Sequence, residues 1–176
     1  ATYVVDGSDT EGNVEYNVQF SDVAGNNGVA VTSGSGSVTV DTTSPTLSSV
    51  TLTSDNATNT TAKAADTITL SFEASETIDT PTVSFTSGSA AITNGVTVTN
   101  TSGNVWTATY VVDGSDTDGS VEYNVQFSDL AGNNGVAVTS GSGSVTVDTT
   151  SPTVTISSND ISNGASMNKP ININFT

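Results

Sequence analysis

The sequence predicts an all-β protein, and three observations predict it. Apolar residues alternate with polar ones at a period of two, helix-forming runs are absent, and a long stretch repeats itself. Val121, Tyr123, Val125 and Phe127 give the clearest alternation, with Glu122, Asn124 and Gln126 between them. Ile68, Leu70 and Phe72 form a second such face, and Val83 and Phe85 a third. Side chains two apart share one face of a strand, so each set marks a half-buried strand. Ser, Thr, Val and Gly dominate where a helix would need Ala, Leu, Glu and Lys.

Taken in order, the strands fall at 46–53, 67–74, 81–87, 92–99, 104–112, 121–128 and 136–147, separated by Gly, Asn, Asp and Ser clusters. The first follows Pro45, which cannot donate to a sheet ladder and suits a crossing between units. The fifth carries Trp106, the chain's single Trp, read as core between sheets. Asn94-Gly95 and Asn134-Gly135 read as hairpin turns, and Ser-Gly-Ser-Gly-Ser at 140–144 as a bulge or loop that breaks the last strand. That glycine-rich stretch lacks the strand-to-helix setting of a phosphate loop. Seven short antiparallel strands in about 100 residues fit an immunoglobulin-like β-sandwich with Greek-key connections. With no Cys there is no disulfide, and packing must hold the fold.

Residues 1–46 recur at 108–153 with three substitutions, Glu11 to Asp118, Asn13 to Ser120 and Val23 to Leu130. The offset suits one small β-domain and is too long for a solenoid turn. Val-Asp-Thr-Thr-Ser-Pro, at 40–45 and 147–152, marks the seams. Three pieces follow: 1–44, the C-terminal half of one unit; 45–151, a complete unit; and 152–176, the start of another. Because it opens within an alternating strand and ends at Phe175-Thr176, the chain reads as an excerpt of a longer polypeptide.

Composition excludes whole classes of function. Eighteen Asp and Glu face only Lys63 and Lys169, with no Arg or His, for a formal charge of −16. Counterion release from nucleic-acid phosphates needs cations, as does polybasic attachment to an anionic membrane. Imidazole bases, thiol nucleophiles and soft-metal sites are absent, and no window approaches the roughly 20 apolar residues of a spanning helix. The carboxylates lie in open turns, so no enzymatic activity is expected. Lys63, in a loop, is not expected to form an isopeptide bond.

The phrases ITLSFEASETIDTPTVSF, NTSGNVWTATYVVDGSDTDG, VEYNVQFSDLAGNNG and VTVDTTSPT resemble the bacterial Ig-like repeats of giant adhesins and biofilm-associated surface proteins. The resemblance covers nearly the whole chain. It implies a rod of stacked units that projects a binding tip from the bacterial cell surface, often rigidified by calcium within or between repeats.

Where the acids fall supports the calcium expectation separately. In an immunoglobulin topology Asp113, Asp116, Asp118 and Asp148 gather at the pole where the chain leaves the unit, and Glu73, Glu76, Asp79 and Asp129 at the pole where it enters. The leaving pole of the first unit (Asp6, Asp9, Glu11 and Asp41) then faces the entering pole of the second. Crowded carboxylates splay such a joint unless a cation holds them, and calcium takes six to eight oxygen ligands. Asp129 with its repeat equivalent Asp22, and Asp148 with Asp41, are the leading ligands, being single carboxylates at strand ends. Against this, Asp and Gly are ordinary turn residues, and DGSDTDG lacks the spacing of an EF-hand. Two functions follow as expectations: a stalk whose partners are neighbouring repeats of the same chain, or a filament or sheath subunit whose uncovered sheet edges pair with other copies.

Overall fold

The computed structural model describes residues 1–154 and, beyond them, the backbone of Ile156–Ser157 and Asn174–Phe175. Every regular element among these is a strand, so the chain is all-β, as its alternation predicts. In chain order the strands are β1 (Gly12–Asn13), β2 (Thr39–Val40), β3 (Leu47–Ser54), β4 (Thr61–Ala62), β5 (Thr67–Ala74), β6 (Thr82–Ser87) and β7 (Ala90–Ala91). They continue as β8 (Thr97–Ser102), β9 (Val105–Val111), β10 (Gly119–Gln126), β11 (Thr146–Val147), β12 (Ile156–Ser157) and β13 (Asn174–Phe175). Most of the segment 152–176 lies outside the described residues.

One sheet has the order β3-β5-β9-β8 and another β4-β11-β10-β6-β7. Pairing is antiparallel except between β4 and β11. The two sheets share a single core: Leu52, Ile68, Leu70, Phe72, Trp106 and Tyr110 come from the first, and Val83, Phe85, Val121, Tyr123, Val125 and Val147 from the second. The period-two pattern produces this directly, since each strand turns its apolar set inward and its Thr, Ser and Asn outward. Each large side chain so buried contributes about 1.5–3 kcal/mol. The Phe85 and Tyr110 rings meet within the core, centroids 5.0 Å apart and tilted by 44°. Trp106 is 7% exposed, as its core reading expects.

Three local expectations are corrected. The strand expected at 92–99 lies at 97–102, because β7 belongs to one sheet and β8 to the other, and residues 92–96 cross between them. Asn94-Gly95 is therefore no hairpin turn; the Asn94 amide instead donates to the Val111 carbonyl at 2.8 Å. The strand expected at 136–147 keeps only β11 as a regular ladder. Upstream of it Val138 pairs with Val125, while Ser142 pairs with Thr51 on β3 of the other sheet. The glycines permit that change of sheet: a Cβ at Gly141 would lie 2.5 Å from the Val50 carbonyl, and Gly143, at φ +76°, lies under the Leu52 carbonyl. The break expected from the glycine-rich stretch is thus a switch between sheets. Finally, the turn ahead of it is made by 129–133, and Asn134 already pairs with Ser128. Gly135 is required for space, because the Phe127 ring occupies the place of its Cβ.

Residues 1–40 hold the same returning hairpin in the same register. Gly12 pairs with Val40 as Gly119 does with Val147. Val18–Val31 and Ser21–Asn27 likewise match Val125–Val138 and Ser128–Asn134. The core itself is built by residues 50–147.

Candidate metal centre

The first seam, Val40 to Pro45, is tied down at both ends. Val40 is buried, and Pro45 is fully buried where the chain runs beside Phe127, Val136 and Val138. Between them Glu11, just ahead of β1, accepts hydrogen bonds from the Thr42 amide at 3.3 Å, the Thr42 hydroxyl at 3.2 Å and the Thr43 hydroxyl. The Asp41 carboxylate accepts from the Thr43 amide at 3.1 Å, which orders it within the turn.

Two loops of the β3–β11 sandwich close on this segment. In the loop after β10, Asp129 is 1% exposed. Its Oδ1 accepts the amides of Gly132 at 2.7 Å and Asn133 at 2.8 Å, and its Oδ2 the Asn133 side-chain amide at 2.7 Å. That same Asn133 side chain donates to the Asp41 carbonyl at 3.1 Å and so links the loop to the seam. The loop after β5 is pinned on both flanks. Ser75 exchanges hydrogen bonds with Thr46, the residue after the seam, and the Asp79 amide donates to the Ser128 carbonyl at 2.9 Å. Glu76 lies between these two anchors.

The result is a convergence of Asp41, Glu76 and Asp129, each with a carboxylate oxygen within 4.8 Å of the others. Among the described residues it is the one group of three potential metal ligands. Burial pushes the Glu76 carboxyl up, and the charges of Asp41, Asp129 and Glu11 push it further. Burial also acts to raise Asp129, but the Asn133 side chain and the amides of Asn133, Gly132 and Ala131 outweigh it and hold that carboxyl below its usual value. Asp129 is thus an anion solvated by the protein, whereas Glu76 is an anion crowded by others. Lys63 offers no relief, since it pairs with Asp66 at 3.0 Å. Three hard oxygen donors without nitrogen or sulfur suit calcium or magnesium rather than zinc or copper.

The other expected ligands are not gathered in this way. Asp22 repeats the Asp129 turn, accepting the Asn26 amide and side chain at 2.8 Å each, and is exposed. Asp148 repeats Asp41, accepting the Thr150 amide at 3.0 Å. Asp118 holds Thr149 and Thr150 as Glu11 holds Thr42 and Thr43, so the Glu-to-Asp difference preserves the clamp. Asp6 and Asp9 lock their own turn, with the Asp6 amide donating to Asp9 at 2.6 Å and Ser8 to Asp6 at 2.7–3.0 Å. Asp113 and Asp116 do the same, and Asp116 also accepts the Thr93 amide at 2.9 Å. Glu73 and Asp79 are exposed outside the group.

Two contributors were not anticipated. Asn133 organises the site, and the local signal was an amide four residues after an Asp in a tight turn, a spacing that lets one side chain close the loop. At the opposite pole Asp66, 9% exposed, accepts the Asn56 side chain at 2.7 Å and the Lys63 amide at 2.9 Å. These partners, led by Asn56, hold its carboxyl at about 2. No helix among the described residues is long and apolar enough to cross a membrane. No protein-family model matches the chain, and neither a curated protein nor a solved structure is significantly similar to it.

Proposed function

We propose that this chain is a length of extracellular bacterial stalk made of immunoglobulin-like units, and that calcium held by Asp41, Glu76 and Asp129 stiffens the seam between consecutive units. The carrying observation is the convergence itself. Asp41 belongs to the seam, whereas Glu76 and Asp129 lie on separate loops of the following unit, and their oxygens fall within 4.8 Å of one another while Lys63 is paired with Asp66 instead. Such an arrangement is self-repelling unless a cation occupies its centre. Three carboxylates supply three or more of calcium's six to eight oxygens, with carbonyls and water for the rest.

Strand order supports the kind of unit. The order β3-β5-β9-β8 is that of an ABED sheet, and β4-β11-β10-β6-β7 is that of a GFCC′ sheet with β4 added in parallel beside β11. A near-identical segment recurring at a domain-sized offset supports interchangeable rod segments rather than individual binding sites. The resemblance to bacterial adhesin repeats supports the location.

Thermal melting and small-angle scattering of the chain in calcium and in chelator test this reading. A ligand that binds only the ordered seam stabilises it by about 2.7 kcal/mol at a concentration 100 times its Kd. The melting temperature is expected to rise with calcium and the scattering to become that of a stiffer particle. An unchanged melt at millimolar calcium refutes the proposal.

A further inference from the structure

We propose that the Asn94-Gly95 bond is a site of spontaneous deamidation in the folded chain, and that its conversion loosens the crossing between the two sheets. The Gly95 backbone nitrogen attacks the Asn94 side-chain carbonyl carbon. The new C–N bond closes a succinimide ring, and the side-chain nitrogen leaves as ammonia, carrying the proton lost by the Gly95 amide. Water then opens either ring carbonyl, giving isoaspartate or aspartate. Water is the only co-reactant. The attack is favoured before glycine, whose missing side chain leaves the nitrogen accessible and its backbone free to reach the side chain.

Asn27-Gly28, Asn94-Gly95 and Asn134-Gly135 are the Asn-Gly bonds of the described residues, Asn163-Gly164 lying outside them. Hydrogen bonding separates the three. The Gly28 amide donates to the Phe20 carbonyl at 2.8 Å, and the Gly135 amide to the Phe127 carbonyl at 3.0 Å. Each of these nitrogens is held in a returning hairpin, next to the Ser21–Asn27 or Ser128–Asn134 bridge and against the Phe20 or Phe127 ring. Attack there requires the hairpin to open first. The Gly95 amide, by contrast, has no hydrogen-bond partner among the described residues. Asn94 and Gly95 are both exposed, and a Cβ at Gly95 would meet nothing within 4 Å. One contact restrains the Asn94 side chain, the exposed hydrogen bond that its amide donates to the Val111 carbonyl at 2.8 Å.

The position of the bond gives its conversion a consequence. Residues 92–96 carry the chain from β7 in one sheet to β8 in the other, and Ile92 and Val96 pack against the core on either side of the bond. Deamidation replaces the donor that faces Val111 by a carboxylate oxygen, so two acceptors meet where a hydrogen bond had been. It also adds a negative charge next to Thr93, whose amide donates to Asp116 at 2.9 Å, in a chain already at −16. Isoaspartate further inserts a carbon into the main chain between the two points fixed by Ile92 and Val96. Both products weaken the same crossing. The Asn134-Gly135 bond, close in sequence to Asp129 and Asn133, is kept intact by its hairpin.

The test is ageing of the chain at mildly alkaline pH, folded and in urea, followed by peptide mass spectrometry that reads the exchange of a side-chain amide for a carboxyl. In the folded chain Asn94 is expected to convert on the order of tenfold faster than Asn134, whose neighbouring Gly135 must first give up its hydrogen bond. In urea the two are expected to convert at similar rates. Gly95→Ala, for which the structure has room, restricts the backbone and is expected to slow conversion at position 94 on the order of tenfold without lowering the melt of fresh protein. The melting temperature of the original chain is expected to fall as position 94 converts, and that of aged Gly95→Ala to hold. Equal or slower conversion of Asn94 relative to Asn134 in the folded chain overturns the proposal. So does an Asn94 that stays intact when folded but converts in urea, or a chain converted at position 94 that melts like fresh protein.

Discussion

Glu76 and Asp66 are carboxylates shifted in opposite directions, and their titrations have opposite consequences. Glu76 holds its proton more tightly when folded than its ordinary value of 4.5 implies, because burial and then Asp41, Asp129 and Glu11 disfavour its charge. Without a cation, its contribution to stability is therefore favourable below that raised value and is lost as pH climbs through it. Glu76→Gln is accordingly expected to raise the melting temperature in chelator at pH 7, and to weaken calcium binding by about an order of magnitude or more. The reversal of sign between the two melts is the check, because a purely structural Glu76 would give one sign in both. Asp66 behaves the other way. Its stabilisation is complete above 3.8 and disappears as pH falls toward about 2. Asp66→Ala strands the Asn56 and Lys63 donors and is expected to cost about 1–3 kcal/mol in urea denaturation at pH 7. That difference should shrink toward zero near pH 2.

At the scale of elements, the segment after the Asp129 turn shows how glycine placement routes a chain. An uninterrupted alternating strand there would stay in one sheet; Gly141 and Gly143 let it approach β3 and close the edge between the two sheets. Gly143→Val combines a left-handed backbone, at φ +76°, with a clash against the Leu52 carbonyl. It is expected to cost about 2–4 kcal/mol, read as a lower denaturation midpoint. Gly36→Val, the same change one repeat earlier, meets a left-handed backbone at φ +86° but no atom within 4 Å, so it is expected to cost only the backbone share, about 1–2 kcal/mol. The long strands β5, β9 and β10 were legible from alternation alone. The position of β8 was not, because residues 92–96 alternate well enough to be strand and only the crossing between sheets excludes them.

At the scale of the whole molecule, a formal charge of −16 acts on every joint at once. Added monovalent salt screens exposed like charges, with a Debye length falling from about 10 Å at 0.1 M to about 3 Å at 1 M. In chelator the melting temperature is therefore expected to rise with sodium chloride, and calcium should give at micromolar to millimolar levels what sodium gives only at far higher ones. A melt that falls with salt would mean that attractive pairs, not repulsion, govern the joints.

The all-β class and the core faces were readable in the sequence, because strand burial has a period of two. That most acids fall outside the regular strands was readable for the same reason, since turns lie at strand ends. Which acids meet was decided only by tertiary structure. Asp41, Glu76 and Asp129 are far apart in sequence and converge because Ser75 and Asn133 tie two loops to the 41–46 segment while Asp79 ties those loops to each other through Ser128. Asp6 and Asp113 offer the same chemistry but give their oxygens to their own turns, and Asp116 divides its oxygens between its own turn and the Thr93 amide, choices of hydrogen-bond partner that composition cannot express.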